Sequence, residues 1–105
     1  MAQARSGCYS FEHIVQVART QGFTQGSAYT IARIVLAESG GCPVTSQTNY
    51  DGSIDRGYVQ FNSRWHSEVT NWCAYNLTCS LKQAYRVSQG GSNFHAWTTY
   101  NRGLA

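Results

Sequence analysis

Residues 49–65 read NYDGSIDRGYVQFNSRW, and they decide the fold because they interrupt a chain that is otherwise patterned as helix. The stretch is rich in Asn, Asp, Ser and Gly, and its Asp51-Gly52 pair is typical of a hairpin turn. An apolar helical pattern that ends at Glu38 precedes it, and further helical patterns follow it. We therefore predict a mainly helical α+β fold in which a short, polar antiparallel sheet between Val44 and Phe61 lines one wall of a cleft.

The segments outside this stretch are predicted as helices from the spacing of their apolar residues and from their capping residues. With their caps, the predicted helices run from Ser10 to about Gln21, from Ser27 to Gly40, from Ser80 to about Ser88 and from Asn93 to about Tyr100. A flexible lead-in is predicted over Met1 to Gly7, and a loop over Cys73 to Cys79.

Length and charge limit the classes of protein that this chain can represent. A chain of 105 residues predicts a single domain, residues 1–105, with one modest core. The net charge of +3 is mild and suits an acidic polymer as partner, but no run of Lys and Arg resembles a nucleic-acid-binding arm. No apolar run is long enough to cross a bilayer. We therefore expect no nucleic-acid partner, no membrane insertion and no cofactor or metal, in a monomer or a module of a larger protein.

The four cysteines predict disulfides and an oxidising destination. Of the three possible pairings we favour Cys73–Cys79, which closes a short loop, together with Cys8–Cys42, which ties the N-terminus to the end of the second helix. A zinc site is the alternative, although no C-x-x-C pair supports it. The N-terminus lacks the apolar core of a signal peptide, so a removed leader, a larger parent protein or another export route are the options.

Two of the five acidic residues have the surroundings that acid catalysis needs. Glu38 follows Ile31, Ile34 and Val35 at helical spacing, so it projects from the apolar face at the negative end of the helix dipole. Both burial and that dipole favour the protonated form of a carboxyl group. Asp55 lies in a polar stretch where it can remain ionised. The alternatives are a solvent-exposed Glu38 and an Asp55 that only forms a turn.

One protonated and one ionised carboxyl group are the machinery for cleaving a glycosidic bond. The amides of Asn49, Gln60 and Asn62 suit sugar hydroxyl and N-acetyl groups, and the ring of Trp65 suits the face of a sugar. The composition therefore predicts a sugar-cleaving cleft.

The same stretch resembles the signature N-x-D-G-S-x-D-x-G-x-x-Q-x-N-S-R-W of the lysozyme superfamily, most closely that of c-type lysozymes. Residues 22–39 have a similar layout of helix, loop and helix ending in Glu-Ser. Residues 86–91, followed by Ala96-Trp97, resemble the segment that leads to the Trp packed on the catalytic Glu. The resemblance implies a lysozyme-like fold and a muramidase acting on peptidoglycan glycan strands, in a secreted, periplasmic or virion-associated protein of a phage or bacterium.

By this resemblance Glu38 is the general acid and Asp55 the nucleophile or charge stabiliser, a division of roles for which lysozymes are the type case. The residues implied to line the sugar subsites are Asn49, Gln60, Asn62, Trp65, Ala96, through its backbone, and Trp97. Trp97 is expected to pack over Glu38, and the two carboxyl groups to lie roughly 5–9.5 Å apart.

Some features depart from the c-type pattern. The chain is shorter at its C-terminus and has fewer cysteines, and His66 stands where c-type lysozymes often have a second stacking Trp. The Glu-Ser-Gly sequence at 38–40, residues 57–60 and the Tyr-Asn pair at 100–101 also resemble lytic transglycosylase (SLT-like) modules. Such enzymes use one catalytic Glu and release an anhydro-sugar. Three readings follow: a muramidase, a lytic transglycosylase, and a catalytically silent cell-wall-binding module.

Overall fold

A computed structural model describes residues 7–105, so the predicted lead-in falls, apart from Gly7, outside the described residues. The elements are α1 Phe11–Thr20, α2 Gln25–Ser39, β1 Asp55–Arg56, β2 Phe61–Asn62, α3 Asn71–Ala74, α4 Leu77–Val87 and α5 Thr98–Asn101. The predicted α+β architecture is confirmed: a small antiparallel sheet lies between helices in the order of the chain.

Side-chain caps set where the two N-terminal helices begin. The hydroxyl of Ser10 accepts a hydrogen bond from the backbone N–H of His13, as the sequence predicts for a cap. Helix α2 starts earlier than predicted, because the hydroxyl of Thr24 accepts from the N–H of Ser27 and so takes the role predicted for Ser27. The helix ends as predicted at Gly40, whose φ of 66° is open to glycine without strain.

The C-terminal helices differ more from their predicted bounds. Helix α4 begins at Leu77 because the side chain of Asn76 accepts from the N–H of Cys79. Ser80, predicted as the cap, is instead buried inside that helix. The predicted loop from Cys73 to Cys79 therefore includes the end of α3 and the first turn of α4.

The last helix is also shorter than predicted. The side chain of Asn93 accepts from the N–H of His95 and forms a local turn in place of the predicted first helical turn. As a result, α5 begins only at Thr98, directly after Trp97.

The sheet is confirmed but shorter than the predicted span from Val44 to Phe61. Asp55 pairs with Asn62 and Arg56 with Phe61, and a single bridge joins Thr45 to Arg56. Beyond these pairs, side chains share the pairing with the backbone. The N–H of Asp55 donates to the hydroxyl of Ser46, while the N–H of Ser46 donates to the carbonyl of Asp55. In the same way, the N–H of Ile54 donates to the hydroxyl of Ser63, and the N–H of Ser63 donates to the carbonyl of Ile54. The Asp51-Gly52 turn also forms, upstream of the two strands, whereas residues 57–60 make the turn that connects them.

Buried aliphatic and aromatic side chains form one core in which α1 packs against α2 and α4. Its fully buried members include Ile14, Ala18, Ala28, Ile31, Ala32, Ile34, Val35, Val59, Leu81 and Ala84. Both favoured disulfides, Cys8–Cys42 and Cys73–Cys79, are formed. Because all four sulfurs are paired in this way, the zinc site considered as the alternative does not form.

A buried arginine fixes the loop that follows the sheet. Arg56 is only 4% exposed, and its guanidinium donates to the carbonyl oxygens of Phe61, His66 and Val69 and to the side chain of Asn71. These four acceptors satisfy most of the donors of a charge that would be costly to bury unpaired. The loop between β2 and α3 is therefore held in one position relative to the sheet.

Candidate active site

The turn between β1 and β2 is where the functional elements meet. The hydroxyl of Ser39, at the end of α2, donates to the carbonyl of Tyr58 at 2.7 Å. The indole N–H of Trp97 donates to the carbonyl of Val59 at 3.2 Å. These two hydrogen bonds join the end of α2 and the segment before α5 to the same turn, so Glu38 is held in a fixed relation to the sheet.

A cavity of about 440 Å³ opens between these elements. Its lining combines two carboxylates with amides, hydroxyls and aromatic rings, which is the mixture that sugars require. The lining residues are Glu38, Asp55, Gln60, Phe61, Asn62, Trp65, His66, Ala96, Trp97, Thr98 and Thr99.

Glu38 is half-buried, and burial is the main reason that its pKa is raised above the usual value of a glutamate. The negative charge of Asp55 raises the pKa further. Hydrogen bonding to Thr99 opposes both effects and favours the charged form, chiefly through its hydroxyl, which donates to Oε2 at 2.7 Å, and to a smaller extent through its backbone. The net direction is upward, toward the proton-carrying state that a general acid needs.

Asp55 lies on β1 and is held by side-chain amides. The Nδ2 of Asn62 donates to Oδ1 at 3.0 Å, and the Nδ2 of Asn49 donates to Oδ2 at 3.4 Å. Both amides also donate to the hydroxyl of the buried Ser53. Donors aimed at both oxygens suit a carboxylate that acts as an anion.

Asn62 and Gln60 are already engaged within the protein. The Oδ1 of Asn62 accepts from the backbone N–H groups of Arg64 and Trp65, so this side chain links Asp55 to the turn that carries Trp65. The Nε2 of Gln60 donates to the carbonyls of Val44 and Gly57. These contacts leave the Gln60 side-chain oxygen as the group available to a ligand.

Trp65 is the exposed aromatic of the cavity. Its side chain is 72% exposed, and the guanidinium of Arg64 lies 5.3 Å from the centre of its ring. His66 also lines the cavity. Its ring packs edge-to-face with that of Phe61, and its Nδ1 lies 3.3 Å from a carboxylate oxygen of Glu68. Trp65 and His66 stand on the loop that Arg56 anchors.

Every residue predicted for the site lines the cavity except Asn49, which lies behind Asp55 as one of its hydrogen-bond donors. The ring of Trp97 is buried and lines the same cavity as Glu38, and its packing over that carboxyl group stays a prediction.

Thr99, whose hydroxyl donates to Glu38, was not predicted from the sequence as part of the site. Its position two residues after Trp97 was the one feature of the sequence that could have indicated it. A single hydroxyl residue in a short segment, however, forms no pattern from which a contact with Glu38 could be predicted.

A family model described as a lysozyme like domain matches residues 15–99. The chain belongs to this family. The predicted resemblance to the lysozyme superfamily and to SLT-like modules is thereby confirmed. No curated protein matches the chain.

Family membership indicates peptidoglycan-related activity of the glycosidase or transglycosylase type for this lysozyme-like domain. It also fits action at the cell wall, outside the cytoplasm. Within the described residues 7–105, no three His, Cys, Asp or Glu side chains group in a way that could hold a metal ion. Over that same range, none of the helices has the length and hydropathy to cross a membrane.

Proposed function

We propose that this chain is a muramidase that cleaves the β-1,4 bond between N-acetylmuramic acid and N-acetylglucosamine in peptidoglycan. The observation that carries the proposal is that Glu38 and Asp55 reach one cavity from different elements and in unlike surroundings. Glu38 has a raised pKa, and Asp55 is held by two amides. A pair of this kind can divide the roles of proton donor and anion.

In this mechanism Glu38 donates its proton to the glycosidic oxygen as the bond to C1 breaks. Asp55 then attacks C1 or stabilises the positive charge that develops on the sugar. Water completes the reaction, with the Glu38 carboxylate taking up a proton. The distance between the two carboxyl groups decides whether configuration is retained or inverted.

The remaining parts of the proposal concern the partner, the extent of the catalytic domain and its location. The glycan strand is the partner, contacted by Gln60, Asn62, Trp65, Ala96 and Trp97, with Asn49 supporting Asp55. We place the activity in residues 1–105 acting as one catalytic domain, in a monomer or as a module of a larger secreted, periplasmic or virion-associated protein. No cofactor takes part in the proposed steps.

The chemistry of the product tests the proposal. Purified peptidoglycan digested with the protein should yield fragments with reducing ends, which mass spectrometry identifies because one water has been added per bond cleaved. Fragments that end in an anhydro-sugar would show that the chain is a lytic transglycosylase and not a muramidase. Binding to peptidoglycan without any new fragment would show that it is a wall-binding module.

We predict that Trp65→Ala weakens substrate binding without weakening the fold. The ring is largely exposed, so it contributes little to the core, and stacking on a sugar is its available role. The KM for soluble glycan fragments should rise about 5- to 10-fold, as expected for the loss of roughly 1–1.4 kcal/mol of stacking. Steady-state kinetics measure the change, and the midpoint of thermal unfolding should stay unchanged.

Trp72→Ala is the matched control, because Trp72 is 71% exposed against 72% for Trp65 but does not line the cavity. Its KM should equal that of the wild type. Equal KM values for both variants would remove Trp65 from the proposed binding surface.

A further inference from the structure

The hydroxyl of Thr99 is the side-chain donor that holds Glu38. It lies 2.7 Å from Oε2, and over residues 7–105 the Thr99 hydroxyl makes no other hydrogen bond. Thr99 is the second residue of α5, and α5 packs against α2, which carries Glu38. The contact therefore spans two elements that are far apart in the sequence.

A donated hydrogen bond distinguishes the two oxygens of a carboxyl group. With Thr99 as the donor to the protonated Glu38 as well, Oε2 is the carbonyl-like oxygen and the proton resides on Oε1. When Glu38 has lost its proton, the same hydrogen bond becomes charge-assisted and is stronger. One hydroxyl thus orients the acid before the proton transfer and favours the carboxylate after it.

We propose that Thr99 is a positioning residue that makes Oε1 of Glu38 the proton-donating oxygen; this inference rests on the muramidase proposed above. In the step that it serves, the Oε1–H bond breaks and the proton bonds to the glycosidic oxygen. The C1–O bond breaks with its electron pair going to the leaving sugar, which departs as an alcohol. Glu38 remains as a carboxylate with Oε2 bonded to Thr99.

Two other ionisable groups line the cavity with Glu38, and their charges would act on it whether or not Thr99 is changed. Asp55 on β1 lies near enough for its charge to raise the pKa of Glu38. His66, on the loop after β2, shares the cavity, and its Nδ1 lies beside the carboxylate of Glu68. Neither group bonds Oε2, so removing the Thr99 hydroxyl changes one contact and leaves these charges in place.

The test compares Thr99→Val and Thr99→Ala, which lack the donor, with Thr99→Ser, which keeps it. The two apolar variants should lower kcat about 10-fold, as expected for losing a hydrogen bond to a charged group, with KM unchanged. Because that bond favours the charged form, its loss should raise the pKa of Glu38 and move the basic limb of the pH–kcat profile to higher pH. Thr99→Ser should restore both the rate and the profile.

Thr78→Val, an exposed threonine on α4 outside the cavity, is the matched control and should behave as the wild type. NMR titration of the Glu38 carboxyl carbon in each variant gives the pKa without substrate. An unchanged Glu38 pKa in both apolar variants, or an apolar variant with wild-type kcat, would overturn the role of Thr99. Failure of the wild type to cleave peptidoglycan would instead overturn the muramidase, while the NMR comparison would still test the contact.

Discussion

Replacing Glu38 with Gln should lower kcat for peptidoglycan cleavage by roughly 10²–10⁴-fold, the usual contribution of general acid catalysis. The amide has nearly the shape of the carboxyl group, and its oxygen can still accept from the hydroxyl of Thr99. It cannot deliver a proton to the glycosidic oxygen. Release of soluble fragments from peptidoglycan measures the loss.

Binding and stability serve as controls for this variant. Affinity for glycan fragments should remain close to that of the wild type, because the lining of the cavity keeps its shape. The pKa of Glu38 is raised in the folded protein, so ionising this group disfavours the folded state. Below the pKa of an unfolded-state glutamate the two proteins should be equally stable, and as the pH rises through the folded pKa, Glu38→Gln should become the more stable.

Near-normal cleavage by Glu38→Gln would show that another group supplies the proton. A variant that failed to bind glycan would instead point to a disturbed cavity, and Glu12→Gln controls for the loss of one exposed carboxylate in α1, away from the site. The basic limb of the pH–rate profile of the wild type provides independent support, because it should lie above the ordinary pKa of a glutamate.

The helix ends could be predicted from the sequence more fully than the contacts within the site. Capping interactions join residues a few positions apart, whereas the contacts in the site join residues far apart in the chain. Cap and stop signals are local, and they correctly gave the start of α1 at Ser10 and the end of α2 at Gly40. Where two polar residues compete within a few positions, local signals cannot decide. The side chains of Thr24 and Asn76 cap the helices whose caps were predicted to be Ser27 and Ser80.

Contacts between segments that are distant in the sequence could not be predicted from local sequence patterns. The bond from Thr99 to Glu38 spans 61 positions, and the one from Trp97 to Val59 spans 38. Neither pair has a spacing that a helix or strand imposes. The sheet shows the same limit, because the N–H of Asp55 donates to the side-chain hydroxyl of Ser46 instead of to a backbone carbonyl.

Asp55→Asn is expected to lower kcat by about 10²-fold or more, because the substitution removes the negative charge that acts on the developing sugar cation. The geometry predicts a side effect as well. Asp55 accepts from the amide nitrogens of both Asn62 and Asn49, so a new amide can accept from only one of them. It should keep the 3.0 Å contact with Asn62 and lose the 3.4 Å contact with Asn49.

Asn49→Ala separates the lost hydrogen bond from the lost charge, because it removes the same donor and leaves the Asp55 carboxylate in place. Its kcat should fall by much less than that of Asp55→Asn. Product analysis of Asp55→Asn is the decisive measurement, because a lytic transglycosylase uses an internal substrate group as nucleophile and does not need this carboxylate. If Asp55→Asn cleaves at close to the wild-type rate and its fragments end in anhydro-sugars, Asp55 is a structural acceptor for the two amides and Glu38 alone carries out the chemistry.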